Sequence, residues 1–347
     1  MLDTLLHSLA AVAIVMCIVA LGYVFGKKGY INKANKGLMT KLIINAGMPC
    51  LVVSNIFGEL DISSLERPLL LFAIPVLSMA ATLAIGLLLA KLMRPSAVRR
   101  GGFVVMCAFS NSIFVGLPMN RGLFGDGAIP FVMIFYMVNT TFFWTVGNYL
   151  INKSGDAAHA GELDPALRGK GILKKLLSPP LIALFVAIPL LLLETYLKSS
   201  EGFMRGFTSC GAYPYITLLQ SSIVKMCGYV GNLVTPVALL YIGAVLYEYG
   251  FKSLKPDRFM WAAIAVRFIA APAIMLGLCC AFGLKGVPTG VLTVEAAMPV
   301  MSQAVVLAAS CDADESFVAS GMCLTTLGCF ALVPILMLVM NGMGLIN

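Results

Sequence analysis

The sequence predicts an all-α integral membrane protein of ten transmembrane helices in two inverted five-helix repeats. The fourth and ninth of these helices are expected to be broken and to cross. Three observations lead there. Sixty per cent of the 347 residues are hydrophobic, 12% are charged and the mean hydropathy is +0.94, whereas a soluble domain carries about 25% charge. The apolar residues fall into runs long enough to cross a bilayer, which takes about 20 residues each. Two of those runs are interrupted at matching places in the two halves, one at Ser110-Asn111-Ser112 with Gly116-Leu117-Pro118, the other at Glu295-Ala296-Ala297-Met298-Pro299.

The first run, 5–26, has Asp3 in front and Lys27-Lys28 behind instead of a small-residue cleavage site, so it reads as a retained helix and not a signal peptide. The remaining spans are expected at 38–58, 68–92, 101–119, 128–151, 178–197, 225–247, 259–283, 288–310 and 317–341. Lys and Arg in alternate connections number seventeen on one side against six on the other. By the positive-inside rule both termini face away from the cytoplasm and the longest connection, 152–177, faces it. The acidic connection Asp312-Ala313-Asp314-Glu315 lies on the basic side, and acids weigh little in orientation. Residues 1–151 are then the first repeat, 152–177 a cytoplasmic linker and 178–347 the second repeat. The stretch 199–224, with Tyr213-Pro214-Tyr215, reads as an outer loop with room for a short interfacial helix.

An odd number of helices per half inverts the second half relative to the first. Two landmarks register the halves. Pro49 in the second span matches Pro236 in the seventh, and Ser110 in the fourth matches Pro299 in the ninth, with offsets of 187 and 189.

The breaks carry the chemistry. Lipid has no water to pair freed backbone groups, so a mid-span interruption survives only against protein or in a cavity. Where a helix stops, carbonyls are exposed, and where it resumes, N–H groups and the positive dipole end favour an anion. Ser110, Asn111 and Ser112 supply donors and acceptors at the first break, with Gly116 and Pro118 adding flexibility beyond it. At the second, Pro299 disrupts the ladder, Val300 and Met301 follow it, and Ser302 and Gln303 are polar. Glu295, about 12 Å into its span at 1.5 Å per residue, is the coupling-ion candidate for a proton or sodium, against the alternative of a wetted acid near the membrane surface. Arg267 is expected to snorkel or to pair with an acid, with a role at the substrate as the lesser alternative. Asn45, Asn139 and Asn148 read as interhelical hydrogen-bonding groups.

Other classes find little support. Ten cysteines without a C-x-x-C pair and two distant histidines, His7 and His159, give no metal-site spacing. No nucleophile–base pair or cofactor motif stands out, so neither an enzyme nor a bound cofactor is expected. The formal charge of +8 is distributed between spans and not in a nucleic-acid-binding patch. A channel would need a continuous polar lining that helices this poor in charge do not offer.

Nearly the whole chain resembles the auxin efflux carrier family, whose bacterial members are described as malonate, malate or other organic-anion permeases. The matching residues are Gly22-Tyr23-Val24-Phe25-Gly26-Lys27-Lys28-Gly29, Asn45-Ala46-Gly47-Met48-Pro49, Ser110-Asn111-Ser112 with Gly116-Leu117-Pro118, Gly231 to Pro236 with Gly243, and Glu295 to Pro299. The resemblance implies a scaffold of spans 1, 2, 6 and 7, a moving unit of the others, elevator-type alternating access, a homodimer and a bacterial cytoplasmic membrane. Related bile-acid:sodium symporters keep sodium coupling open. Plant carriers have a proline where Ser110 stands and a polar residue where Val300 stands, and many have a long cytoplasmic loop in place of 152–177. The expected substrate is accordingly a small organic anion, a carboxylate, and not auxin.

Overall fold

The computed structural model describes residues 2–59, 67–158, 178–199, 213–250 and 255–345. Among them every regular element is helical and there is no strand. In chain order these are α1 (Leu2–Lys27), α2 (Lys33–Gly58), α3 (Pro68–Met93), α4 (Ala97–Ala108), α5 (Leu117–Phe124), α6 (Asp126–Ala157), α7 (Pro179–Leu197), α8 (Pro214–Tyr249), α9 (Arg258–Ala281), α10 (Val287–Ala296), α11 (Gln303–Ser310) and α12 (Glu315–Gly342). Six of them, α2, α3, α6, α7, α8 and α9, are long and apolar enough to cross a membrane. Seven are, if α12, bent by 49°, counts as one span. Residues 97–124 and 287–310, where the fourth and ninth spans are expected, are not in that set and each hold two short helices.

Several boundaries differ from expectation. α6 runs to Ala157 and α8 begins at Pro214, so the first residues of the expected linker and the second half of the expected outer loop are helical. The rest of both segments, 159–177 and 200–212, lies outside the described residues. Asn32, Asp257 and Asp314 cap the starts of α2, α9 and α12 by accepting backbone N–H groups.

Prolines explain three local distortions. Pro49, Pro118 and Pro272 have no N–H for the carbonyl four residues back and crowd it with the ring. Those carbonyls belong to Asn45, Phe114 and Phe268, each of which lies inside a π turn, Ile43–Gly47, Ser112–Gly116 and Val266–Ala270. The wider turn relieves the clash. In α8 the interruption is a two-residue turn at Asn232 and Leu233, just before Pro236. The two helix irregularities meet: a Cβ on Gly47 would lie 2.5 Å from the Val234 side chain.

The helices sort into two groups by contact. α1 packs along α8, and α2 against α7 and α8, while α3, α4, α6, α9 and α10 pack on one another. The sequence connections assigned to the basic side gather at one end. Arg99 bonds Asp314 at 2.6 Å and Asp257 at 3.2 Å, and Lys36 pairs with Glu248 and, at 3.8 Å, with Glu315.

Candidate functional site

The site forms where α4 and α10 stop. After Ala108 the chain turns extended at Phe109 (φ −108°, ψ 127°), and helix resumes only at the π turn Ser112–Gly116 that leads into α5. α10 ends at Ala296, and α11 starts at Gln303. The two non-helical strips lie antiparallel with Ser110 opposite Val300. Asn111 donates its N–H to the Pro299 carbonyl at 2.8 Å, and Met301 donates to the Phe109 carbonyl at 3.3 Å. Proline is tolerated here because the bridge uses its carbonyl and not the N–H it lacks. Backbone groups freed by each break are thus paired with the other break, as burial demands.

Three helices hold the bridge from outside. Asn139 of α6 accepts the Ser110 N–H at 3.1 Å, donates to the Ser110 carbonyl at 2.8 Å and reaches Ser112 Oγ at 3.3 Å. Its amide pairs with the Ser110 peptide as a neighbouring strand would. Thr325 of α12 accepts a hydrogen bond from the Val300 N–H at 3.0 Å and donates its hydroxyl to the Gly321 carbonyl at 2.7 Å. Arg267 of α9 donates to Ser110 Oγ at 2.6 Å and to the carbonyls of Met106 and Ala296, each at 3.3 Å.

Every residue expected to frame the site is drawn into this crossing and buried: Ser110, Asn111, Ser112, Pro299, Val300, Met301, Ser302 and Gln303. Not all their polar atoms are paired. Asn111 Nδ2, Ser302 Oγ and Gln303 Oε1 have no hydrogen-bond partner, although these residues are only 2%, 0% and 5% exposed. Leaving such a group unpaired costs about 1–3 kcal/mol; Trp144 Nε1, Thr289 Oγ1 and Thr293 Oγ1 are also unpaired, and what sets the Asn111, Ser302 and Gln303 groups apart is their place. All three stand where helix resumes, Asn111 just before the π turn and Ser302-Gln303 at the opening of α11.

Glu295 lies on the same side of the break as the end of α10 and is fully buried, which overturns the alternative of a wetted acid near the surface. Asn120 of α5 donates to its Oε1 at 2.7 Å and to the Gly116 carbonyl at 3.0 Å, whereas Oε2 has no partner. Gly116 serves a purpose other than flexibility: a Cβ there would strike the Glu295 carboxylate, 2.8 Å from its carbon. Pro118 is exposed in the first turn of α5, and Pro49 and Pro236 sit on α2 and α8 away from the bridge.

Arg267 corrects an expectation. It neither snorkels nor pairs with an acid; it is 1% exposed, and among the described residues no carboxylate lies within ion-pair distance of it. Asn139 fulfils its expected interhelical role, although its partner is a peptide group and not another side chain. Asn120 and Thr325 escaped the sequence reading. Asn120 had one available signal, an amide four residues after Gly116 in an otherwise apolar turn, whereas Thr325 resembles the many threonines that bond their own helix.

Comparison with known proteins agrees with a membrane-embedded reading. A family model described as "Membrane transport protein" matches residues 7–337. An uncharacterized transporter of Methanocaldococcus jannaschii is 25% identical over 322 residues, 91% of this chain and 93% of the relative. Another uncharacterized transporter, from Methanothermobacter thermautotrophicus, is 24% identical over 323 residues, 92% and 94% of the two chains.

Proposed function

The chain belongs to the auxin efflux carrier family of membrane transport proteins, and on that premise we propose that it is a secondary carrier for a small organic anion, a carboxylate, bound beside the crossed breaks. The observation that carries this reading is the set of unpaired polar groups at both resumed helix starts, Asn111 Nδ2, Ser302 Oγ and Gln303 Oε1. Resumed helices aim N–H groups and positive dipole ends at the same place. Paired discontinuous helices at mid-depth are how many secondary transporters build their sites.

In this reading α4 with α5, and α10 with α11, are each one broken span, which with α1, α12 and the six long apolar helices makes ten spans in two inverted repeats. The α1, α2, α7 and α8 group is the scaffold, and the other group carries the site between the two faces of the membrane in an elevator motion. The bacterial cytoplasmic membrane, non-cytoplasmic termini and a homodimer complete the proposal. Counterflow in proteoliposomes tests it. A carrier loaded with unlabelled malonate or succinate accumulates the labelled anion transiently above equilibrium, whereas an anion channel only equilibrates it, and that result would replace the carrier reading.

Glu295 is the candidate for proton or sodium coupling, since a buried acid with one paired oxygen can gain or lose a cation without rearranging the bridge. Glu295→Gln preserves shape and the Asn120 contact through the amide oxygen. The expected result is uptake that no longer responds to the imposed pH or sodium gradient while counterflow persists. Uptake that follows the gradient as in the unmodified protein removes Glu295 from coupling.

A further inference from the structure

Resting on the anion-carrier reading, we propose that Arg267 sets the sign of the site: it neutralises the two carbonyl ends at the crossing and leaves the two N–H ends to select an anion. The charge arithmetic motivates this. Two antiparallel breaks bring together two helix C-termini, about half a negative charge each, and two N-termini, about half a positive charge each. Left alone, the four ends cancel and the crossing favours neither sign.

Arg267 breaks the balance. It donates to Met106 O in the last turn of α4 and to Ala296 O at the end of α10, the carbonyl ends of both stopped helices. No acid within ion-pair distance offsets its charge among the described residues, and a guanidinium does not deprotonate in proteins. Once the carbonyl ends are covered, and while Glu295 holds its proton or coupling cation, about one unit of positive charge remains at the crossing where Asn111, Ser302 and Gln303 have unpaired groups. Burying a charge costs several kcal/mol unless it is compensated. The two carbonyls and Ser110 Oγ offset part of that cost, and a bound anion offsets more.

Ser110 carries the charge toward the ligand. Its hydroxyl accepts from Arg267 Nη1 at 2.6 Å, which leaves its own proton to donate and strengthens it as a donor. Arg267 Nη2 has no partner, and Arg267 lines a small pocket of about 10 Å³ together with Ser78, Thr82 and Phe135. That space admits one water molecule and no organic acid. Arg267 is therefore a positioning residue that acts on the ligand through Ser110 and the helix ends.

The test compares acids with their uncharged counterparts. Binding of malonate, succinate and lactate, and of malonamide, succinamide and lactamide, is measured on the purified full-length protein by calorimetry. The unmodified protein is expected to bind at least one acid in preference to its amide. Arg267→Gln is expected to weaken that acid about tenfold to a hundredfold, the scale of one charged hydrogen bond, and to leave the amide unchanged. Arg267→Lys, which retains charge without the fork, should fall between the two. A folded Arg267→Gln protein that retains the full preference for the acid overturns the proposal. Should that variant not fold, Ser110→Ala decides, because an undiminished preference there removes the relay. If the unmodified protein binds none of the three acids, the anion-carrier reading itself fails, an outcome distinct from preference surviving in the variant.

Discussion

Replacing Asn111 with alanine is expected to abolish uptake while leaving the protein folded and inserted. The backbone of Asn111 is essential to the bridge: its N–H donates to Pro299, and its carbonyl accepts from Gly116 at 3.0 Å. Alanine supplies the same two groups. The side chain, by contrast, has an amide nitrogen with no partner in a residue 2% exposed. Removing an unpaired buried donor relieves a desolvation penalty of about 1–3 kcal/mol, which offsets part of the packing lost. Stability and function should therefore separate. Size-exclusion profile and thermal midpoint are expected to stay close to those of the unmodified protein, with counterflow reduced to background. Unchanged transport would remove Asn111 from the binding groups. Loss of folded protein would instead make the amide a structural element.

That separation follows from what the sequence made legible. The breaks were readable because lipid penalises polar and helix-breaking residues unless they have a use, so Ser110-Asn111-Ser112 and Pro299 stand out within apolar runs. The near-equal offsets marked Ser110 and Pro299 as corresponding positions of the two halves. The bridge joins Ser110 to Val300 and Asn111 to Pro299, an antiparallel pairing compatible with that correspondence. The supports were less legible. A threonine that bonds its own helix and one that also accepts a foreign N–H, as Thr325 does, have the same local sequence signature. Arg267 was visible as a charge in a span, but its partners are carbonyls, and carbonyl ends exist only once the helices are known to stop. Gly116 was misread for a related reason: the space it leaves is filled by Glu295, which is 179 residues away in the chain.

The ends of elements were harder to read than their cores. α6 and α8 extend past their expected bounds into Asn152-Lys153-Ser154-Gly155 and Pro214-Tyr215. In α6 the polar residues continue the helix where a neighbouring element packs on it, and hydropathy does not see that neighbour. Gly155 shows the packing directly, since a Cβ there would run into the Cys311 backbone, 2.7 Å from its carbonyl carbon.

Gly243→Ala is expected to cause the largest loss of stability of any single methyl addition along α8. α1 and α8 approach backbone to backbone at Gly22 and Gly243. A Cβ on Gly243 would overlap the Val19 carbonyl oxygen and lie 2.6 Å from the Tyr23 nitrogen, and one on Gly22 would lie 2.7 Å from the Leu240 Cα. These obstacles are backbone atoms, so no rotamer change relieves them and the helices must separate. Small residues are what permit such close packing between membrane helices. Overpacking a tight contact costs about 1–3 kcal/mol, and here a shift opens the reciprocal contact at Gly22 as well. Gly228, on the same helix with open space around its Cβ direction, provides the control. Gly228→Ala is expected to be neutral or slightly stabilising, because alanine favours helix over glycine by about 1 kcal/mol. Thermal midpoints in one detergent compare the two. A Gly243→Ala protein as stable as Gly228→Ala would mean that α1 and α8 do not form the tight pair seen here. The proposed scaffold would then lose the contact that makes it a rigid support for a moving site.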